Sequence, residues 1–340
     1  MNDLELPLPL RVAVVGLGWW GMTITRLLSK SDVIRPVLGV DPSAQSRAEF
    51  ASMGVPTASA FEEALADPSV DAVILCTPHA FHAEQVIAAA RAGKHVFCEK
   101  PFTVTSAEAA EALAAARAAG VQVGLGHERR FEPAVQRMQR LVSEGELGTP
   151  LVFEGNFSQN KFLSLPPDNW RLSATLAPVG PLSATGIHLV DLAISVLGEP
   201  KEVWARLGTL ATSFGNGDTL TVTLGFASGA TANISAVLAT PFIGRVCLMG
   251  SDGWYEIRDR SHPEDPSGWD VRYTRDGSSV EETYYPPFSG VLENLERFAQ
   301  AIVNKTEYPI DEAAIQRNVN AFEAIVRSAI SGGIEKVRET

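Results

Sequence analysis

The chain has 340 residues, 45% hydrophobic and 20% charged, which is enough material for two globular domains of ordinary size. Its net charge of −12 argues against nucleic acid or an anionic membrane surface as partner, because either needs clustered cations. The start, Met1-Asn2-Asp3-Leu4-Glu5, has no basic n-region or apolar h-region, so no signal peptide is expected, and no apolar run is long enough to span a bilayer.

From residue 10 to about 127, short β-rich runs alternate with helical ones. Residues 11–15 predict a first strand and 16–29 the turn and helix after it. Residues 37–40 read as the second strand, ending at Asp41, and 44–53 as the next helix. Residues 70–76 form a strand stopped by Thr77-Pro78, and His95-Val96-Phe97-Cys98 another. The Ala-rich stretches 82–92 and 107–119 are helices closed by Gly93 and Gly120, and 121–125 is a further strand. Strands separated by such helices predict an α/β domain over residues 7–127: a doubly wound parallel Rossmann sheet with right-handed crossovers. Residues 131–143 continue as a helix.

The texture then changes. Residues 151–157, 203–209, 219–226, 230–238, 245–249 and 254–258 are β-like. Gly215-Asn216-Gly217-Asp218, Ser228-Gly229 and Asp252-Gly253 separate several of them, which predicts an antiparallel sheet. The tail 290–330 is helical, so residues 128–340 form a second, α+β domain with a mainly antiparallel sheet. Cys76, Cys98 and Cys247 are too few and scattered for a disulfide framework, and a reduced, cytoplasmic protein is expected. The sequons at Asn156, Asn233 and Asn304 are then chance matches.

Gly16-Leu17-Gly18-Trp19-Trp20-Gly21 fits the G-x-G-x-x-G pattern between an apolar strand and a helical run. The glycines permit a tight turn and close approach of backbone to pyrophosphate at a helix N-terminus. Gly16, Gly18, Trp19, Trp20 and Gly21 are therefore candidate cofactor contacts. Asp41 closes the second strand 20 residues after Gly21, where an acid accepts hydrogen bonds from the adenosine ribose. Asp41 repels a 2′-phosphate, so NAD is favoured over NADP. Arg35 or Arg47, folded over the site, reverses that preference.

Glu99-Lys100-Pro101 follows a strand at whose carboxyl end a cofactor crevice is expected. Pro101 turns Lys100 toward extended backbone, and a lysine there is a candidate proton-transfer group beside nicotinamide. Downstream, Gly186-Ile187-His188-Leu189-Val190-Asp191 puts His188 and Asp191 on one helix face. Either the imidazole is directed at substrate, with the acid fixing its orientation or tautomer, or His188 is a satisfied histidine in a helix–sheet seam. No metal is expected: His79 and His82 have i, i+3 spacing, but no carboxylate or cysteine joins them in a ligand pattern.

In order, Gly16-x-Gly18-x-x-Gly21, Cys76-Thr77-Pro78, His82, Ala92-Gly93-Lys94-His95-Val96, Glu99-Lys100-Pro101, Gly126-His127-x-x-Arg130-Phe131-x-Pro133, Trp170-Arg171 and Gly186-x-His188-x-x-Asp191 resemble the Gfo/Idh/MocA oxidoreductase family. The resemblance implies a Rossmann domain plus an α/β domain whose large open sheet buries its outer face against another subunit, giving a homodimer or homotetramer. It implies NAD(P)-dependent hydride transfer to or from a hydroxyl or carbonyl carbon of a sugar, cyclitol or related small molecule. By position, Lys100 bonds the nicotinamide ribose and the reacting oxygen, with Glu99 beside it, and His188 is the second proton-transfer group. Thr77, Pro78 and His82 line the ribose and nicotinamide side, although His82 reads equally as a helix cap. Arg130, Trp170 and Arg171 approach substrate, a surface arginine being the alternative for Arg171.

One departure matters. Sugar and inositol dehydrogenases of this family place an Asp four residues before the histidine, where this chain has Ala184. Its loss removes a charge-assisted hydrogen bond worth roughly 1.5–3 kcal/mol. Ser183 or Thr185 is the remaining hydroxyl there. A second reading is therefore a reductase or dehydrogenase of a non-sugar cyclic or aromatic-derived carbonyl or imine, walled by Phe157, Phe162, Leu163 and Leu165. A third, of another class, is a non-catalytic nucleotide-binding regulatory or scaffold protein.

Overall fold

A computed structural model describes residues 8–340 of the chain. It divides into two compact units. Of the described residues, one unit holds 8–127 with 291–315, and the other 128–290 with 316–340. No helix among the described residues is long and apolar enough to cross a membrane.

The first unit runs β1 (Leu10–Val15), α1 (Trp19–Leu28), β2 (Ile34–Val40), α2 (Ala44–Ala51), β3 (Thr57–Ala58), α3 (Phe61–Ala66), β4 (Ala72–Leu75), α4 (His82–Arg91), β5 (His95–Cys98), α5 (Ser106–Ala119) and β6 (Val123–Leu125). Its six strands lie in the order β3-β2-β1-β4-β5-β6, all parallel. The chain thus winds outward one way from β1 to β3, then returns to β4 on β1's other side. The break between β1 and β4 is the switch point at which such sheets bind ligands. β4 and the Val12–Val15 part of β1 are entirely buried, which is why they read as unbroken apolar runs. β2 starts earlier than residue 37 and takes in Pro36, and its register against β1 shifts between Val12 and Ala13. Pro36 brings no N–H to the ladder, which fits an irregularity beside it. α5 opens on a capping box, Thr105 with Glu108, and closes on Gly120 at φ 68°.

The second unit contains α6 (Pro133–Ser143), β7 (Pro150–Ser158), α7 (Ile187–Leu197), β8 (Pro200–Gly208), β9 (Thr219–Phe226), β10 (Thr231–Val237), β11 (Ile243–Gly250), β12 (Gly253–Asp259), β13 (Trp269–Arg275) and β14 (Glu281–Tyr285). Then come α8 (Gly290–Asn304), α9 (Glu312–Ser331) and β15 (Ile334–Lys336), with the division between the units falling inside α9. The nine-stranded sheet is ordered β14-β13-β12-β11-β7-β10-β9-β8-β15. β7 and β10 pair parallel and the other neighbours pair antiparallel. In β9 the buried residues Leu220, Val222, Leu224 and Phe226 alternate with Thr221 and Thr223, as a sheet covered on one face requires. α7 lies against β7 and β10 and is buried along almost its whole length.

The tail over 290–330 is helical, as expected. It forms two helices, interrupted where Lys305 takes φ 53° and Pro309 follows. Residues 291–315 cluster with the first unit, where Phe298 stacks edge-on against Phe97 at 5.5 Å and lies over Gly124. β13, β14 and β15, rich in charged and polar residues, escaped the pattern reading altogether.

Candidate active site

The glycine loop is built by contacts that tolerate no side chain. Gly16 takes φ 90°, and a Cβ there would stand 2.8 Å from the backbone carbonyl of Cys76. A Cβ on Gly21 would stand 2.1 Å from the Gly16 carbonyl oxygen. Gly16 therefore ties the β1 turn to the end of β4, and Gly21 seats α1 on that turn. Gly18 differs: a Cβ on it meets nothing within 4 Å. α1 begins there with no side-chain cap and no acid in its first turn, so its dipole favours a negative group at this end.

Asp41, at the end of β2, accepts the Leu17 N–H at 2.8 Å through Oδ2 and the Ser43 N–H at 2.8 Å through Oδ1. It braces the glycine loop while its carboxylate keeps further lone pairs for a ribose diol. Arg47 donates to the carbonyls of Asp41 (2.7 Å) and Pro42 (2.9 Å), so it does fold back to this strand end. Trp19 is exposed, with its ring centroid 5.4 Å from that of Trp20, whose buried Nε1 has no hydrogen-bond partner among the described residues. An open face at Gly18, an uncapped helix start and an acid at the end of β2 fit a dinucleotide, with pyrophosphate over Gly18 and ribose at Asp41.

One strand further on, β5 ends at Cys98, and Lys100 stands half-buried at its carboxyl end, before a cis peptide bond to Pro101. Thr77 and Pro78 are half-buried at the end of β4, and the Thr77 hydroxyl donates to Gln85 Oε1 at 2.5 Å. Two expected neighbours of the cofactor turn inward instead. His82, the first residue of α4, is fully buried, its ring nitrogens 2.8 Å from the Pro101 carbonyl oxygen and 3.0 Å from that of Thr77. Burial lowers its pKa, and a neutral ring donates to one of these carbonyls only. It ties the Thr77 turn to Pro101 from behind. Glu99 is buried as well, its carboxylate packed on Gly126, where a Cβ would come within 2.6 Å of it, and it accepts the Lys100 N–H at 3.3 Å.

In the second unit, Leu182–Gly186 is a π-helical turn leading directly into α7. Such turns inside helices recur at functional sites, because the wider coil re-aims side chains. Ala184 is its one half-buried residue, and His188 follows four residues later. The hydroxyls beside Ala184 point into the protein: Ser183 donates to the Pro178 carbonyl at 2.6 Å and Thr185 to that of Pro181 at 3.3 Å. Thr185, expected at the substrate, is thus buried in the turn.

His188 is buried, with Nδ1 3.6 Å from Glu128 Oε1 and its ring 5.9 Å from that of Phe157. Phe157 also meets Phe242 at 6.2 Å and His262 at 5.4 Å. Arg130, expected at the substrate, grips Asp191 with a two-pronged hydrogen bond, Nε to Oδ2 at 2.8 Å and Nη2 to Oδ1 at 2.7 Å. Asn318 of α9 adds a 3.4 Å bond to the same carboxylate. Next to it, the buried Arg129 bonds Glu132 and Asp259. Burial pushes the Glu132 carboxyl up to about 7, with Asp259 adding to the rise against the pull of Arg129.

Trp170 and Arg171 are half-buried in a 3₁₀ turn, Trp170–Leu172, with the guanidinium 4.4 Å above the indole. The turn is pinned by Asn216, whose Nδ2 donates to the carbonyls of Arg171 and Ala177, both at 2.8 Å. Asn216 passes in the sequence for an ordinary turn residue. His262 and Phe242 lie in loops, and their approach to Phe157 carries no local pattern. Glu128 had a signal, an acid inside the Gly126–Pro133 motif, but nothing in its spacing connects it with His188.

The description "Oxidoreductase family, NAD-binding Rossmann fold" matches residues 10–127, and "GFO/IDH/MocA C-terminal domain" matches residues 135–256. The chain is 34% identical over 212 residues to the uncharacterized oxidoreductase YrbE of Bacillus subtilis, covering 60% of each protein. It is 32% identical over 292 residues to D-xylose 1-dehydrogenase (NADP(+)) 2 of Haloferax volcanii, covering 85% of this chain and 87% of that one. The crystal structure of aldose-aldose oxidoreductase from Caulobacter crescentus, complexed with glycerol, superposes with a TM-score of 0.85 at 27% identity over 96% of this chain and 99% of that one. The chain belongs to the GFO/IDH/MocA family of NAD(P)-dependent oxidoreductases.

Proposed function

We propose that this protein is a dehydrogenase or reductase acting on an aldose or a related polyol, with Lys100 and His188 handling the proton of the reacting hydroxyl. When bound, the nicotinamide supplies or takes the hydride. The glycine loop holds the pyrophosphate, Asp41 the adenosine ribose, and the Thr77 turn with Lys100 the nicotinamide side. The observation that carries this reading is the position of Lys100. It stands at the carboxyl end of β5, one strand past β4, whose own end packs against the glycine loop. A lysine acts as base near neutral pH once burial beside a cofactor lowers its pKa. The relatives named for D-xylose and aldoses support the substrate class.

A second substrate reading has its own support. Ala184 offers no acid, Thr185 turns its hydroxyl inward, and Phe157, Phe242 and His262 cluster beside His188. That surface suits a less hydroxylated cyclic or aromatic-derived carbonyl or imine.

We assign residues 7–127 to dinucleotide binding and 128–340 to substrate binding and oligomerisation. Trp204, Leu151, Ile243 and Ile334 are exposed on strands of the large sheet, which supports a homodimer or homotetramer through that sheet. Three free cysteines, two of them buried, support a reducing, cytoplasmic setting. The test is Lys100→Ala, assayed with D-xylose and a panel of aldoses, cyclitols and cyclic carbonyls against both cofactors. Turnover is expected to vanish while NADH still binds. Near-normal turnover refutes the assignment of Lys100.

A further inference from the structure

His188 has a carboxylate beside it that does not come from its own helix. The Glu128 side chain reaches it from the short 3₁₀ turn Glu128–Phe131, with Oε1 3.6 Å from Nδ1 and both side chains largely buried, at 11% and 5% exposure. That distance lies within ion-pair range and a little beyond a hydrogen bond, and catalytic contacts tighten when a site fills. Two residues further along the same turn, Arg130 clamps Asp191, which lies one helical turn after His188 on α7. The turn and the helix are therefore joined at two points, 128 to 188 and 130 to 191, and the rigid bidentate pair holds Glu128 in register with the imidazole. Arg129, between them, is anchored by Glu132 and Asp259, so the turn is held from its other side too. The ring of Phe157, tilted 40° to the imidazole, occupies a further side of His188.

We propose that Glu128 is the positioning carboxylate of His188: it holds Nδ1 as the N–H side of the ring, leaves Nε2 to face the reacting oxygen, and favours the charged imidazolium. It does from a different element what an acid at position 184 cannot do in this chain, where the π-helical turn carries Ala184. The inference rests on the reading of His188 as a proton-transfer group.

Other charged groups of the same unit near His188 have pairings of their own, and the proposed reaction adds Lys100 on the substrate side. On its own helix, Asp191 is held by Arg130. Arg129 bonds Glu132 and Asp259 but also lies 5.6 Å from the centre of the Phe157 ring and within reach of the Glu128 charge, and His262 lies across the same ring. α6 brings Arg137 and Arg140, whose charge falls on Tyr255. The π-helical turn and the inward-facing Phe153, Gly155 and Phe157 of β7 and Ala232, Ile234 and Ala236 of β10 carry no charge.

The experiment is a pH titration of the histidine side chains by nitrogen-15 NMR on the full chain, with His188 assigned by its loss in His188→Asn. In the unsubstituted protein the neutral His188 ring is expected as the Nδ1–H tautomer, and the Nε2–H tautomer overturns the proposal without any variant having to fold. Glu128→Gln keeps the size and removes the charge. Its His188 titration is expected to move to lower pH by about one unit or more, because an opposite charge at this range stabilises the protonated ring. The acid limb of kcat/KM for D-xylose oxidation should move with it, while Glu128→Asp retains most of the unsubstituted behaviour. An unmoved titration in folded Glu128→Gln overturns the pairing. Full turnover by His188→Asn instead overturns the underlying reading of His188, whatever the titration shows.

Discussion

Replacing each glycine of the loop by alanine should separate folding from cofactor binding, because the three positions meet different surroundings. Gly21→Ala drives a methyl to 2.1 Å from the Gly16 carbonyl oxygen, so α1 or the loop has to move. Overpacking of that kind costs about 1–3 kcal/mol. Gly16→Ala adds the strain of φ 90° to a 2.8 Å contact with the Cys76 carbonyl. The left-handed backbone alone costs an L-residue about 1–2 kcal/mol. Gly18 has φ −70° and ψ −173°, which alanine adopts freely, and its Cβ meets nothing within 4 Å. Alanine is a poorer helix cap than glycine, but it also restricts the unfolded chain by about 0.4–1 kcal/mol, so the two effects nearly cancel. Gly18→Ala should therefore leave stability almost unchanged while its methyl occupies the space where pyrophosphate approaches. We expect Kd for NADH to rise at least tenfold, or about 1.4 kcal/mol. Thermal unfolding and NADH fluorescence titration of the three variants decide it. The reasoning fails if Gly18→Ala binds NADH normally, or if it destabilises the fold as much as Gly21→Ala does.

Arg130→Met should destabilise the protein by about 3–5 kcal/mol, because it strands the Asp191 carboxylate in a buried site. Urea unfolding measures this, and Arg130→Met/Asp191→Leu should recover part of it; a loss below about 1 kcal/mol would show that the pair is not structurally important. Stability should also fall as pH rises through the Glu132 titration. The carboxyl, ordinarily near 4.5, titrates in the fold at about 7 because of its burial. The folded state thus binds the extra proton in that window, and its contribution is complete below the lower value and lost through the upper. Glu132→Gln should show a flatter stability profile over that window than the unsubstituted protein. Equal slopes in the two proteins would count against a protonated Glu132.

The first unit was legible in the chain because its signals are local. A fully buried parallel strand is an apolar run, a helix start after a glycine turn needs a fixed spacing, and Asp41 and Lys100 follow closely on strand ends. Residues 291–315 were not assigned to that unit, since a helix's apolar stripe says that it packs and not what it packs on. In the second unit the sequence marked His188 and Asp191 as sharing a helix face, but it could not tell which partner each would take. Only the fold gave Asp191 to Arg130, brought Glu128 to His188 and turned Thr185 and His82 inward. Periodicity is a property of neighbouring residues on one element. Charge pairing and burial are decided between elements far apart in the chain, once the folded core has set the few groups that lose their water and must find each other.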